Sequence, residues 1–129
     1  MSRLITVALI AAVAASTAAV AAPGALAKDG DLRIKGTCSS AATSKLKLSA
    51  ENGGIEVEFE VDQNRNGVPW KVTLRRNGTL VTSTTATTRA PSGSFTVRRV
   101  VANTPGGPDR IVAVATSPGG ATCRAAGSF

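Results

Sequence analysis

The sequence predicts an all-β domain, an antiparallel β-sandwich of about seven or eight short strands. Three observations carry that expectation. Apolar and polar residues alternate along most of residues 32–124, which is the period of a half-buried strand. Two Asn-Gly pairs, Asn52-Gly53 and Asn77-Gly78, lie between alternating runs and mark two-residue hairpins. No segment sustains a helical period. A sandwich of the immunoglobulin or fibronectin type III kind is the expected architecture, and a small β-barrel is the alternative.

The first 27 residues stand apart from this pattern. Arg3 precedes an apolar run from Leu4 to Ala22, broken only by Thr6, Ser16 and Thr17, and Pro23-Gly24 leads into Ala25-Leu26-Ala27. A charged start, an apolar middle and a small-residue exit are the marks of a secretory signal. Residues 1–27 are therefore expected to be a signal peptide, with 28–129 as a single secreted domain, extracellular or associated with the cell wall. Retention of the run as an anchor is the alternative, because it approaches spanning length. Cys38 and Cys123 are the only cysteines. In an oxidising compartment a lone pair is most simply one disulfide.

The elements of the domain follow in order. Leu32 and Ile34 alternate with Arg33 and Lys35, so a strand is expected to end near Cys38. Lys45-Leu46-Lys47-Leu48 alternates next, and residues 55–61 alternate again after the first Asn-Gly. With Asn52 and Gly53 as the turn, Lys47 faces Glu58, Lys45 faces Glu60, Leu48 faces Val57 and Leu46 faces Phe59. Opposite charges then meet on one face and apolar side chains on the other. A slip of one residue would destroy both sets.

In the second hairpin Trp70, Val72 and Leu74 alternate with Lys71, Thr73 and Arg75, and Asn77-Gly78 turns into Thr79-Leu80-Val81. The same arithmetic predicts Leu74 opposite Val81 and Thr73 opposite Thr82. The threonine-rich run 82–88 suits a strand with a hydroxylated outer face. Pro91-Ser92-Gly93 is a turn, Phe95 and Val97 begin a strand reaching about Ala102, and residues 104–108 form an irregular loop. Ile111, Val112 and Val114 build the next strand, and a last short one carries Cys123. Trp70, with apolar neighbours at alternate positions, belongs in the core.

The candidate sites are few. Asp62-Gln63-Asn64-Arg65-Asn66-Gly67 matches the first half of a calcium loop, D-x-[DN]-x-[DN]-G, with Asp62, Asn64 and Asn66 as oxygen donors. Thr73 stands where the bidentate Glu belongs, Arg65 sits in the middle, and strands flank the segment. A polar connector whose Asn and Gly residues take left-handed conformations accounts for the same residues. At most a calcium site of roughly millimolar affinity is expected, and no other cofactor. Glu56, Glu58 and Glu60 share a strand face, but Lys45 and Lys47 stand opposite, and a ladder of exposed ion pairs explains them. Lys71, Arg75 and Arg76, with Arg98 and Arg99, could form a basic patch. Asn77-Gly78-Thr79 matches a glycosylation sequon that the hairpin turn already explains.

The chain contains no His, so Ser-His and Cys-His nucleophiles, an imidazole base and His metal ligands are excluded. An enzyme is not expected. The run Val61 to Trp70, then Arg76-Asn77-Gly78, Gly93 to Val97 and Pro108 to Ala115 followed by Cys123, resembles small secreted actinobacterial β-sandwich proteins of immunoglobulin or fibronectin-III type. That resemblance implies fold and export and supplies no site. Gly93 to Val97 with Arg98 and Arg99 is also similar to secreted enediyne-carrying apoproteins, which carry four cysteines. The expected function is that of a secreted binding or structural module, a monomer, contacting an anionic cell-wall polymer or another extracellular protein. Export argues against nucleic acid, and no stable membrane span is expected after cleavage. The alternative is a small-ligand carrier or inhibitor acting through an inter-sheet cleft or the loop 103–110.

Overall fold

The computed structural model describes residues 30–129, so the expected signal peptide lies outside the described residues. Among these residues there are nine strands: β1 (Leu32–Lys35), β2 (Thr37–Cys38), β3 (Thr43–Glu51), β4 (Gly54–Asp62), β5 (Pro69–Arg76), β6 (Thr79–Thr87), β7 (Ser94–Ala102), β8 (Arg110–Thr116) and β9 (Thr122–Ser128). They form two antiparallel sheets, ordered β1-β3-β4-β7 and β2-β9-β8-β5-β6. Neither sheet closes on itself, so the fold is a sandwich and not the alternative barrel. No helix among the described residues is long and apolar enough to cross a membrane.

The first hairpin forms in the predicted register. Lys47 pairs with Glu58, Lys45 with Glu60, Leu48 with Val57 and Leu46 with Phe59. Asn52 and Gly53 both have positive φ, 41° and 78°, as a type I′ turn requires. Asn77 and Gly78, at 49° and 83°, make the same turn in the second hairpin. There the predicted register fails by one residue. Arg76 pairs with Thr79 and Arg75 with Leu80, but Leu74 then pairs with Thr82 and Thr73 with Ser83, leaving Val81 in a bulge. The bulge brings Ala86 opposite Trp70 and turns it inward onto the core. Without it Thr85 would stand opposite Trp70, and a hydroxyl would replace the Ala86 methyl against the indole.

The strand expected to run from Leu32 to Cys38 is divided between the sheets. β1 pairs with β3, and after Gly36 the chain passes to the other sheet, where β2 pairs with β9. Gly36 is the crossing point because a Cβ there would collide with the Arg124 carbonyl and the Ser44 hydroxyl. This division accounts for the strand count exceeding the expectation.

The core fills the space between the sheets. β4 contributes Ile55, Val57, Phe59 and Val61, and β3 contributes Leu46 and Leu48, all with no exposure. Facing them are Trp70, Val72 and Leu74 of β5 and the small inward set Ala113, Ala115 and Ala125 of β8 and β9. The Trp70 and Phe95 rings meet across the sandwich at 6.3 Å between centroids, tilted by 51°. Cys38 and Cys123 are direct partners on β2 and β9 and form the expected disulfide across 85 residues of sequence. Since β2 has two residues, the bond holds a strand that its own ladder could not. Replacing both cysteines by Ala is expected to lower stability by about 4.5 kcal/mol, the chain-entropy value for a loop of this length, as read by urea denaturation of the oxidised and substituted proteins.

Candidate functional site

The outer faces of the two sheets differ in charge. On the first, β4 presents Glu56, Glu58, Glu60 and Asp62 between cationic neighbours. Lys45 Nζ lies 3.4 Å from Glu60, and Lys47 Nζ lies 3.7 Å from Glu58 and 3.4 Å from Asp31. From the other side Arg98 of β7 pairs with Glu58 and reaches Glu56 at 4.0 Å. Arg98 thus leaves the basic patch that the sequence suggested and completes the glutamate ladder. Counting Arg33, Lys35, Lys45, Lys47 and Arg98 against Asp31, Glu51, Glu56, Glu58, Glu60 and Asp62, this face is neutralised within itself.

The positive excess, +7 over the whole chain, therefore falls elsewhere. The outer face of the second sheet presents Lys71 and Arg75 from β5, Arg110 from β8 and Arg124 from β9. No carboxylate stands on that face, and none of the four forms an ion pair among the described residues. Thr73, Val112, Val114 and Ala126 lie half-buried between them, in mutually paired positions. At about 3.3 Å per residue, Lys71 and Arg75 lie about 13 Å apart along β5. Such wide spacing cannot gather on one compact anion and suits an extended ligand bearing several charges. Backbone carbonyls engage single donors of neighbouring guanidinium groups: Arg75 Nη1 donates to Gly78 at 3.3 Å and Arg76 Nη1 to Ala102 at 2.6 Å. Arg99 Nη1 donates to the Arg98 carbonyl at 2.7 Å.

The loop proposed for calcium is held by hydrogen bonds of its own. The Asn64 N–H donates to Asp62 Oδ1 at 3.0 Å, closing a turn on the one carboxylate, and Asn64 and Gly67 take positive φ. The Arg65 carbonyl accepts from the Thr88 hydroxyl at 2.6 Å, and that hydroxyl accepts from the Val68 N–H at 2.9 Å. Gly93 lies directly against the Arg65 backbone, where a Cβ would have no room. Gln63 Oε1 accepts from Trp70 Nε1 at 3.0 Å and so satisfies the one polar atom of the buried indole. Asn66 is exposed. Asp62, Asn64 and Asn66 share one turn, but the partners that order it are Thr88, Gly93 and Trp70.

A second polar cluster had no signal in the sequence. Asp109, 1% exposed, accepts from the Thr104 N–H at 2.9 Å, from the Thr104 hydroxyl at 2.5 Å and from Asn77 Nδ2 at 2.9 Å. Asn77 Oδ1 in turn accepts from the Arg110 N–H at 2.8 Å. Asp109 also exchanges both backbone hydrogen bonds with Phe129. One carboxylate thus ties the 104–108 loop to the second hairpin turn, and its backbone ties it to the chain end. The Thr104 hydroxyl and N–H, with Asn77 and the charge of Arg76, hold the Asp109 carboxyl below the usual carboxylate range, against the opposing effect of burial. Beside this loop a depression of about 700 Å³ opens between Thr104–Pro108, Gly30–Leu32 and Phe129.

Fold and faces together define a disulfide-clamped β-sandwich with one self-neutralised sheet and one cationic sheet. No family model, curated protein or solved structure matches the chain.

Two substitutions check this account. Thr88→Val leaves the Arg65 carbonyl and the Val68 N–H without their partner, and a loss of about 1–3 kcal/mol is expected in urea denaturation. Asp109 has a lowered folded pKa, so its contribution is complete above the unfolded value, near pH 4, and is lost as pH falls through the folded one. Asp109→Asn should therefore lower the melting temperature at pH 6 and flatten its dependence on pH below about pH 4, as measured by melts across the acid range.

Proposed function

We propose that the protein is a secreted, non-enzymatic binding module that holds an extended anionic polymer on the outer face of its second sheet. The sorting of charge carries this proposal: carboxylates are gathered on one face with their cations, while Lys71, Arg75, Arg110 and Arg124 on the other form no ion pair among the described residues. A polymer of alternating anionic groups and uncharged units would meet those cations around the half-buried Val112–Val114 centre. The disulfide, and the absence of a membrane-spanning helix among the described residues, are compatible with work outside the cell. The exit pattern of residues 1–27 supports export. We also read the sandwich as immunoglobulin-like, since β9-β8-β5-β6 follows the G-F-C-C′ order of variable-type domains. In that comparison β4 is an added hairpin partner of β3.

A second function, inhibition or capture through the loop 103–110, is favoured by one observation, the Asp109 clamp that pre-orders that loop. It predicts a protein target whose affinity falls with Asp109→Asn and is insensitive to the four cations.

The polymer proposal is tested with inorganic polyphosphate by titration calorimetry. Replacing Lys71, Arg75, Arg110 and Arg124 together by Gln is expected to weaken binding by roughly 100- to 1,000-fold, at about 1 kcal/mol for each basic residue near an anionic surface. Replacing Lys35 and Lys45 on the other face should leave it nearly unchanged. Equal losses from both faces would mean that net charge alone drives binding and would sink the proposal.

A further inference from the structure

Among the described residues strand β6 is the open margin of the second sheet, with β5 on one side and no strand on the other. The Thr88 N–H donates to the Val68 carbonyl, and bonded and open positions alternate from there along an antiparallel pair. The N–H and C=O of Ser83, Thr85 and Thr87 therefore point away from β5 into solvent. Such a row of unused donors and acceptors is a template for a further strand. The other margins are defended by charge or by brevity: β1 carries Arg33 and Lys35, β7 carries Arg98 and Arg99, and β2 has two residues. The run 79–87 contains neither a charge nor a proline, and its bulge at Val81 leaves six regular positions beyond.

The surroundings of this margin are cationic. Lys71 stands opposite Thr85 and Arg75 opposite Leu80, one strand further in. A strand added to β6 would lie about 10 Å from β5, a separation that a Lys or Arg side chain and a Glu side chain together can span. Arg99 is exposed on β7, which packs along β6 at the margin of the sandwich, and Arg89 lies just beyond the end of β6. None of these four cations forms an ion pair among the described residues. We propose that the β6 margin takes up an extended acidic peptide segment as an added strand. Backbone hydrogen bonds to Ser83, Thr85 and Thr87 supply the attachment, and Lys71, Arg75 and Arg99 select for carboxylates. A second copy of this chain is the poorer occupant, because it brings the same cations toward one another.

The test uses a synthetic peptide of alternating Glu and Thr, with inorganic polyphosphate as a polyanion that has no backbone amides. Peptide binding is expected to slow hydrogen exchange at the Ser83, Thr85 and Thr87 amides, and polyphosphate is expected not to. Thr85→Pro removes one outward N–H at a position where a margin strand tolerates proline. It should weaken peptide binding about tenfold, on the scale of one lost backbone hydrogen bond, and leave polyphosphate binding unchanged. Peptide binding that Thr85→Pro does not weaken, or that leaves exchange at the three amides unaltered, would overturn the proposal. So would sedimentation showing that the protein alone dimerises with those amides already protected. If Thr85→Pro does not fold, the exchange experiment on the unaltered protein decides. Loss of polyphosphate binding alone would count against the sheet face and leave the margin standing.

Discussion

The fold depends on β4 being paired correctly on both sides at once. Its inward side chains, Ile55, Val57, Phe59 and Val61, have no exposure, and its outward ones are all carboxylates. A slip of one residue would place the glutamates against apolar neighbours and lose the inward set, and a slip of two would break the two-residue Asn52-Gly53 turn. Lys45 and Lys47 satisfy the ladder from β3 and Arg98 satisfies it from β7. Each exposed pair is worth little alone, roughly 0–1 kcal/mol. Their value lies in specificity, since a slipped strand would both bury charge and expose the core.

That constraint has a consequence on the opposite side of the molecule. Among the described residues, six carboxylates lie on the first sheet face and Asp109 is enclosed by Thr104 and Asn77, so none balances the second sheet. Its cations sit on central strands, on a rigid ladder, around a small apolar centre. A positive face there is the remainder left by a stability device elsewhere, and a polyanion is the ligand that such a remainder would attract. The charges that specify the fold and the charges free to bind are thus different residues.

The sequence made one hairpin legible and left the other ambiguous for the same physical reason. In the first, the alternation of lysines, glutamates and large apolar residues excludes a slip of one residue, and the Asn52-Gly53 turn excludes a slip of two. In the second, β6 offers hydroxyls on both faces, so a shift by one residue exchanges Thr for Thr with no penalty visible in the pattern. Only the need of Trp70 for a small apolar neighbour, met by Ala86, selects the bulged register, and that need appears once the core is assembled. Gly36 was equally silent: nothing local distinguishes a glycine that crosses between sheets from one within a strand. The cysteine pair was legible because two thiols in a chain expected to be exported have one simple use. Asp109 was not, because Asn77 becomes its neighbour only when β5 pairs with β8, and Thr104 only when the 104–108 loop closes.

The hydroxyl-rich composition that made β6 unreadable also shapes what its margin can do. Threonine favours the extended backbone and carries no charge to repel an incoming strand. The bulge at Val81 twists one end away and shortens the run open to pairing. What remains is a margin too short and too polar for runaway stacking, yet bordered by cations that discriminate among partners. The protection that β1 and β7 draw from their own charged residues is moved, at β6, one strand inward. There, on the proposal made for this margin, it would repel another copy of the same protein and admit a chain of opposite charge.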